Sequence, residues 1–202
     1  MAPDLWDHWY DIIEGTAVLR QGDIFRDLLV YCFPQDLPVV AAPKPGEKIN
    51  VQGEWLPGGD WIVMSASCDV ERPQTYPHVL IGRVLPVTST NLGTANPKEA
   101  GQRHEVIRKG LDPSKFMLAE CPSCDFPRSF VQYKTHVTMP AGYLIRHCQA
   151  KRLRLRHPFR ESFGNWVGAN IARVGPETHH AIPPIEDVTV WAAHVLRAAE
   201  AD

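Results

Sequence analysis

Three stretches of this chain carry residue types that could do chemistry. In the first, Trp61-Ile62-Val63-Met64-Ser65 ends in the polar step Ser67-Cys68-Asp69, and Val79-Leu80-Ile81-Gly82-Arg83-Val84-Leu85-Pro86-Val87 ends in Thr88-Ser89. Apolar, β-branched runs of this length predict adjacent core strands, with their polar ends exposed at a rim. A plain hairpin reads the same way, because turns also need Ser, Asp and Pro. The second stretch is Cys121-Pro122-Ser123-Cys124, two thiols two residues apart on a tight turn. Such a pair can reach one tetrahedral zinc ion. To complete a structural site the sequence offers His147 and Cys148, which are adjacent and would point in opposite directions along a strand, and also Cys32, Cys68 and His136. Ordinary reduced thiols are the alternative, and a redox dithiol would prefer a helix N-terminus, which Pro127 opposes.

The third stretch is basic. Arg146, Lys151, Arg152, Arg154, Arg156 and Arg160 cluster with His147 and His157, and no acid intervenes before Glu161. Arg152-Leu153-Arg154-Leu155-Arg156 alternates strictly, which predicts a strand with leucines toward the core and three guanidiniums on the other face. A planar fork of donors at that pitch suits nucleic-acid phosphates, with Phe130, Tyr133 and Tyr143 as stacking surfaces. An acidic partner protein would suit the same face, and so would solvent, since charge on an edge strand blocks aggregation. His179-His180 reads as a solvated pair in a Pro-rich linker. Ser65, Ser67 and Cys68 near His78 lack a Gly-x-Ser-x-Gly elbow. Walker and dinucleotide glycine patterns are absent.

The elements that must position these residues are short. Eighteen prolines and fourteen glycines in 202 residues favour strands and loops over long helices, and 44% hydrophobic content suffices for one substantial core. Leu5, Trp6, Trp9, Ile12 and Ile13 have helical spacing and predict an N-terminal amphipathic helix over 4–14. Gly22-Asp23 leads into a first strand that runs to Phe33. Residues 34–60 read as a Pro-rich insertion with one short strand at 49–51. A polar loop is expected over 89–103, short strands at 104–107 and 116–119, and a half-solvated strand over 128–138. From Pro158, Phe159, Phe163, Trp166, Val167, Ile171 and Val174 form one helical stripe, closed by Gly175. Residues 1–175 thus read as one β domain, and 176–202 as a linker plus a second C-terminal helix bearing Val188, Trp191 and Val195.

A net charge of −2 argues neither for nor against nucleic acid. Five cysteines, with Met1-Ala2-Pro3-Asp4 lacking a signal-peptide pattern, predict a reducing cytoplasm. No apolar run approaches the ~20 residues of a membrane span, so no membrane partner is expected.

Gln21-Gly22-Asp23-Ile24-Phe25, then Ile62-Val63-Met64-Ser65, then Val84-Leu85-Pro86-Val87-Thr88-Ser89 resembles, in order and spacing, the start of the PemK/MazF (Kid-like) toxin family. The resemblance covers about residues 20–90. It implies an SH3-like small barrel of antiparallel strands, here with an N-terminal and two C-terminal helices, metal-independent cleavage of single-stranded RNA, and a homodimer. The family's arginine before the second core strand is missing, because Leu56-Pro57-Gly58-Gly59-Asp60 stands there. The family chemistry would then need Arg72 or Arg83 for the phosphate charge, Thr88 to orient the phosphate or 2′-hydroxyl, and Asp69 as base. Asp69 is equally a turn or strand cap. Two functions are therefore expected: a toxin-type endoribonuclease of a toxin-antitoxin pair, or a non-catalytic nucleic-acid- or protein-binding module, zinc-stabilised, in a bacterial mobile-element or defence system.

Overall fold

The computed structural model describes residues 9–14, 17–32, 53–147 and 152–174. Lys151, Cys148, Gly175, the expected strand at 49–51 and the last expected helix lie outside them. Two compact units divide at Asn170, and of the second only the last turn of one helix, residues 171–174, is described.

The first unit is mainly β. Among the described residues seven strands form one antiparallel sheet: β1 (Tyr10–Ile13), β2 (Asp23–Cys32), β3 (Glu54–Val63), β4 (His78–Pro86), β5 (Lys115–Leu118), β6 (Ser129–Pro140) and β7 (Arg152–Leu155). Their spatial order is β1-β7-β2-β3-β4-β6-β5, with β1 and β5 at the two ends. Four helices accompany the sheet: α1 (Ser67–Val70), α2 (Pro97–Arg108), α3 (Ala141–His147) and α4 (Phe159–Val174). Among the described residues no helix is long and apolar enough to cross a membrane.

Both faces of the central strands are buried, which explains why they read as nearly continuous apolar runs. Ile24, Ile62, Val131, Leu153 and Leu155 pack on one face with Phe163 and Val167 of α4. Phe25, Trp61, Val63, Val79 and Ile81 pack on the other with Val70 of α1 and Leu144 of α3. Gly82 lies where β4 packs closely under Met64: a Cβ there would come 2.7 Å from Met64 Sδ.

Three regions differ from their sequence expectations. Residues 10–13 are a strand rather than helix, pairing with β7 from Tyr10↔Leu155 to Ile13↔Arg152. Helical spacing there coincided with the alternation of Tyr10 and Ile12, and an available strand edge decided between them. The supposed insertion over 34–60 ends early, because β3 begins at Glu54 and takes in Pro57, Gly58 and Gly59. A register shift around Asp27, whose φ is 51°, lets β2 accommodate that irregular stretch. The third region, taken as loop and short strand over 89–107, holds α2. Its cap was legible in Asn96-Pro97-Lys98-Glu99: the Asn96 side chain accepts from Lys98 N at 3.0 Å, and Pro97 occupies the first turn.

Candidate functional site

The predicted strand at 152–155 forms as β7, with Leu153 and Leu155 in the core. Its arginines do not share a solvent face. Arg152 is 1% exposed and Asp23, at the start of β2, is 0% exposed. Arg152 Nε donates to Asp23 Oδ2 at 2.9 Å, and Arg154 pairs with both oxygens of the same carboxylate. Arg152 Nη2 donates to the carbonyl of Ala17, and Arg154 Nη2 donates to that of Val18 as well as to Asp23. Arg156 pairs with Asp11 at the surface. These guanidiniums hold the segment before β2 against the sheet. A buried carboxylate between two arginines is tolerated because its charge and its lone pairs are both matched.

The Asp69, Arg72 and Thr88 set is split. Asp69 lies in α1, where its Oδ1 is 3.6 Å from Cys68 Sγ, and Arg72 is exposed in the following turn. Both precede β4, whereas Thr88 follows its far end, where its hydroxyl accepts from Asn91 N at 3.2 Å. The chain entering α1 is hydrogen-bonded to Leu80 near the start of β4, whereas Thr88 lies beyond Pro86 at its end. Arg83 is exposed on β4, opposite Trp61.

Cys121 and Cys124 do converge, flanking the 3-10 turn Pro122–Cys124. His147 lies on α3, with its ring 4.6 Å from that of Tyr143. Among the described residues no group of three or more His, Cys, Asp or Glu side chains is placed to hold a metal ion.

A concavity lies where β2, β3, β4, β6 and α3 meet. Its volume is about 800 Å³, and its described lining is Tyr31, Trp55, His78, Thr138, Met139, Pro140, Tyr143 and Arg146. Tyr31 and Trp55 are cross-strand partners of β2 and β3, with ring centres 5.2 Å apart at 66°. Tyr143 adds a third wall, its centre 6.2 Å from Trp55. The Tyr143 hydroxyl donates to Leu29 O at 2.7 Å, which fixes the ring. Burial raises the Tyr143 phenol pKa, and the nearby Arg146 charge partly opposes that rise. His78 and Pro140 face each other across the β4–β6 pair, and α3 starts directly after Pro140. Arg146 thus reaches the cleft from the last turn of α3. Among the described residues no carboxylate lines the cleft.

Gly53 matters to this geometry. A Cβ there would lie 2.5–2.6 Å from three atoms of the Tyr31 side chain, so that ring rests on bare backbone. Trp55 is 56% exposed although it sits on a core-forming strand. Tyr143 and Arg146 were legible in the sequence as separate candidates. Tyr31, Trp55 and His78 were not, because their meeting depends on the β2–β3 register and on the end of β6. A comparison with protein-family models finds no match to this chain, and a comparison with curated proteins finds none either.

Proposed function

We propose that this protein is a single-stranded RNA-binding module of the SH3-like, PemK/MazF-like type. A base stacks among Tyr31, Trp55 and Tyr143, and its phosphate is drawn to Arg146. The observation that carries this reading is the sign of the charge. Three aromatics bound a mostly apolar cleft whose described lining carries His78 and Arg146 and no carboxylate. A cage for an ammonium ligand would use the same rings but not a guanidinium, whereas a flat, anionic ligand uses both. The volume of about 800 Å³ falls within the roughly 300–1,000 Å³ usual for ligand sites. The antiparallel, mainly β fold, with the Gly22 turn leading into Asp23-Ile24 at the start of β2, supports the family likeness.

Fluorescence anisotropy with labelled single-stranded RNA in EDTA tests the proposal. Saturable binding that is lost in Trp55→Ala and Tyr143→Ala is expected. Equal binding by both variants would overturn it.

One observation favours a cleaving version of the same reading. His78 lines the cleft with Arg146, so an imidazole able to take a 2′-hydroxyl proton shares the site with a cation that could meet phosphate charge. Sequencing RNA ends from the same incubation tests it: specific cuts that vanish in His78→Ala are expected, and intact RNA rejects cleavage while leaving binding standing.

A further inference from the structure

Cys121 and Cys124 belong to the opposite core cluster from the cleft and are held in a very restricted turn. Cys124 N donates to Cys121 O at 3.0 Å, while Cys121 and Phe126 exchange two backbone hydrogen bonds of 2.8 and 3.0 Å. Asp125, in the left-handed region at φ 52° and ψ 36°, lets the chain reverse at once. From β2, Arg26 Nη1 donates to the carbonyls of Cys124 and Asp125 at 3.5 and 3.1 Å, and the guanidinium sits 5.7 Å from the centre of the Phe126 ring. The backbone of this turn is therefore pinned from both sides.

The two sulfurs face the same way. The Ser123 hydroxyl lies 3.3 Å from Cys121 Sγ and 3.6 Å from Cys124 Sγ, and the two thiols also hydrogen-bond to each other. Their access differs: Cys121 is 2% exposed, while Cys124 is only half-buried beside the exposed Pro122 and Ser123. Burial and the neighbouring thiol push the Cys121 pKa up. One sulfur can thus be reached from solution, and the second waits behind it.

We propose that Cys121 and Cys124 are a dithiol that closes to a disulfide by exchange with a small disulfide such as oxidised glutathione. The Cys124 thiolate attacks one glutathione sulfur, forming a mixed disulfide and releasing one glutathione thiolate. Cys121 then gives up its proton to solvent and attacks Cys124 Sγ, expelling the second glutathione thiolate. The protein loses two electrons and two protons, and one oxidised glutathione becomes two reduced molecules. Ring closure needs little backbone movement because the turn already holds both sulfurs against one hydroxyl.

The test is incubation of the full chain in glutathione buffers of increasing oxidation, followed by thiol alkylation, intact mass and peptide mapping. The expected result is the loss of two hydrogens in the peptide that contains Cys121 and Cys124, restored by dithiothreitol. Cys121→Ser should trap glutathione on Cys124, an adduct the native protein resolves. Circular dichroism checks that this variant folds, and the native peptide map stands independently of it. Full alkylation of both thiols in every buffer, a persistent mixed disulfide in the native chain, or a stoichiometric zinc ion that blocks both thiols would each overturn the proposal.

Discussion

The arginine strand β7 and the aromatic cleft are built from similar residues with opposite outcomes. Both set guanidinium groups against apolar neighbours, and the sequence groups Arg146 of the cleft with the arginines of β7 as candidate contacts for phosphate. On β7 a single buried carboxylate, Asp23, meets Arg152 and Arg154, and the strand becomes part of the scaffold. At the cleft no described carboxylate lines the wall with Arg146, and the half-buried Tyr31 and Tyr143 and the exposed Trp55 share that lining. The contrast shows that a basic run says how much charge a strand carries and nothing about what it faces. One acid more than a hundred residues away converts a binding surface into an internal clamp.

The largest effect should come from breaking the clamp. Asp23→Ala strands two buried or nearly buried guanidiniums, and losing one partner of such a cluster costs about 3–5 kcal/mol. Urea denaturation should show that loss. A midpoint that barely moves would mean the arginines find water instead.

Next come the stacking walls. Trp55→Ala and Tyr143→Ala should each weaken RNA binding by about 1–3 kcal/mol, roughly 5- to 150-fold. Trp55→Ala should leave stability nearly unchanged, because that ring is 56% exposed.

Salt dependence sharpens the comparison directly. Each phosphate contact contributes about 0.7 to the slope of log affinity against log salt for a single strand. Arg146→Ala should lower that slope by roughly this amount. Arg154→Ala should destabilise the fold and leave the slope of the folded protein alone. If both variants change the slope equally, the two regions are not distinct.

The smallest effect is expected at Arg156. Its pair with Asp11 is 41% and 46% exposed, and exposed pairs contribute about 0.2–1 kcal/mol. Arg156→Ala should therefore shift the urea midpoint only slightly.

Much of the scaffold could be read directly. β2, the core of β3, β4, β5, β6, β7 and α4 each carry a periodicity strong enough to declare the element, because burial on a fixed face imposes spacing of 2 or 3.6 on the apolar residues. The errors fell where two signals competed. Tyr10–Ile13 satisfied both periods, and Pro57-Gly58-Gly59 concealed a strand whose irregularity is absorbed by the shift at Asp27. The α2 cap is a local signal, carried by Asn96-Pro97-Lys98.

The sequence by itself determined the mainly β class, the alternation that sends Leu153 and Leu155 inward, and the turn that joins Cys121 to Cys124, since all three depend on residues close together in the chain. The tertiary structure alone decided that Asp23 would neutralise the arginines of β7. It also decided that Thr88 would lie past the end of β4 while the chain entering α1 joins the strand near its start, and that Tyr31, Trp55, His78 and Tyr143 would line one cleft. Those outcomes depend on strand order and register, which are set by the joint burial of two sheet faces and leave no mark on any local stretch of the chain.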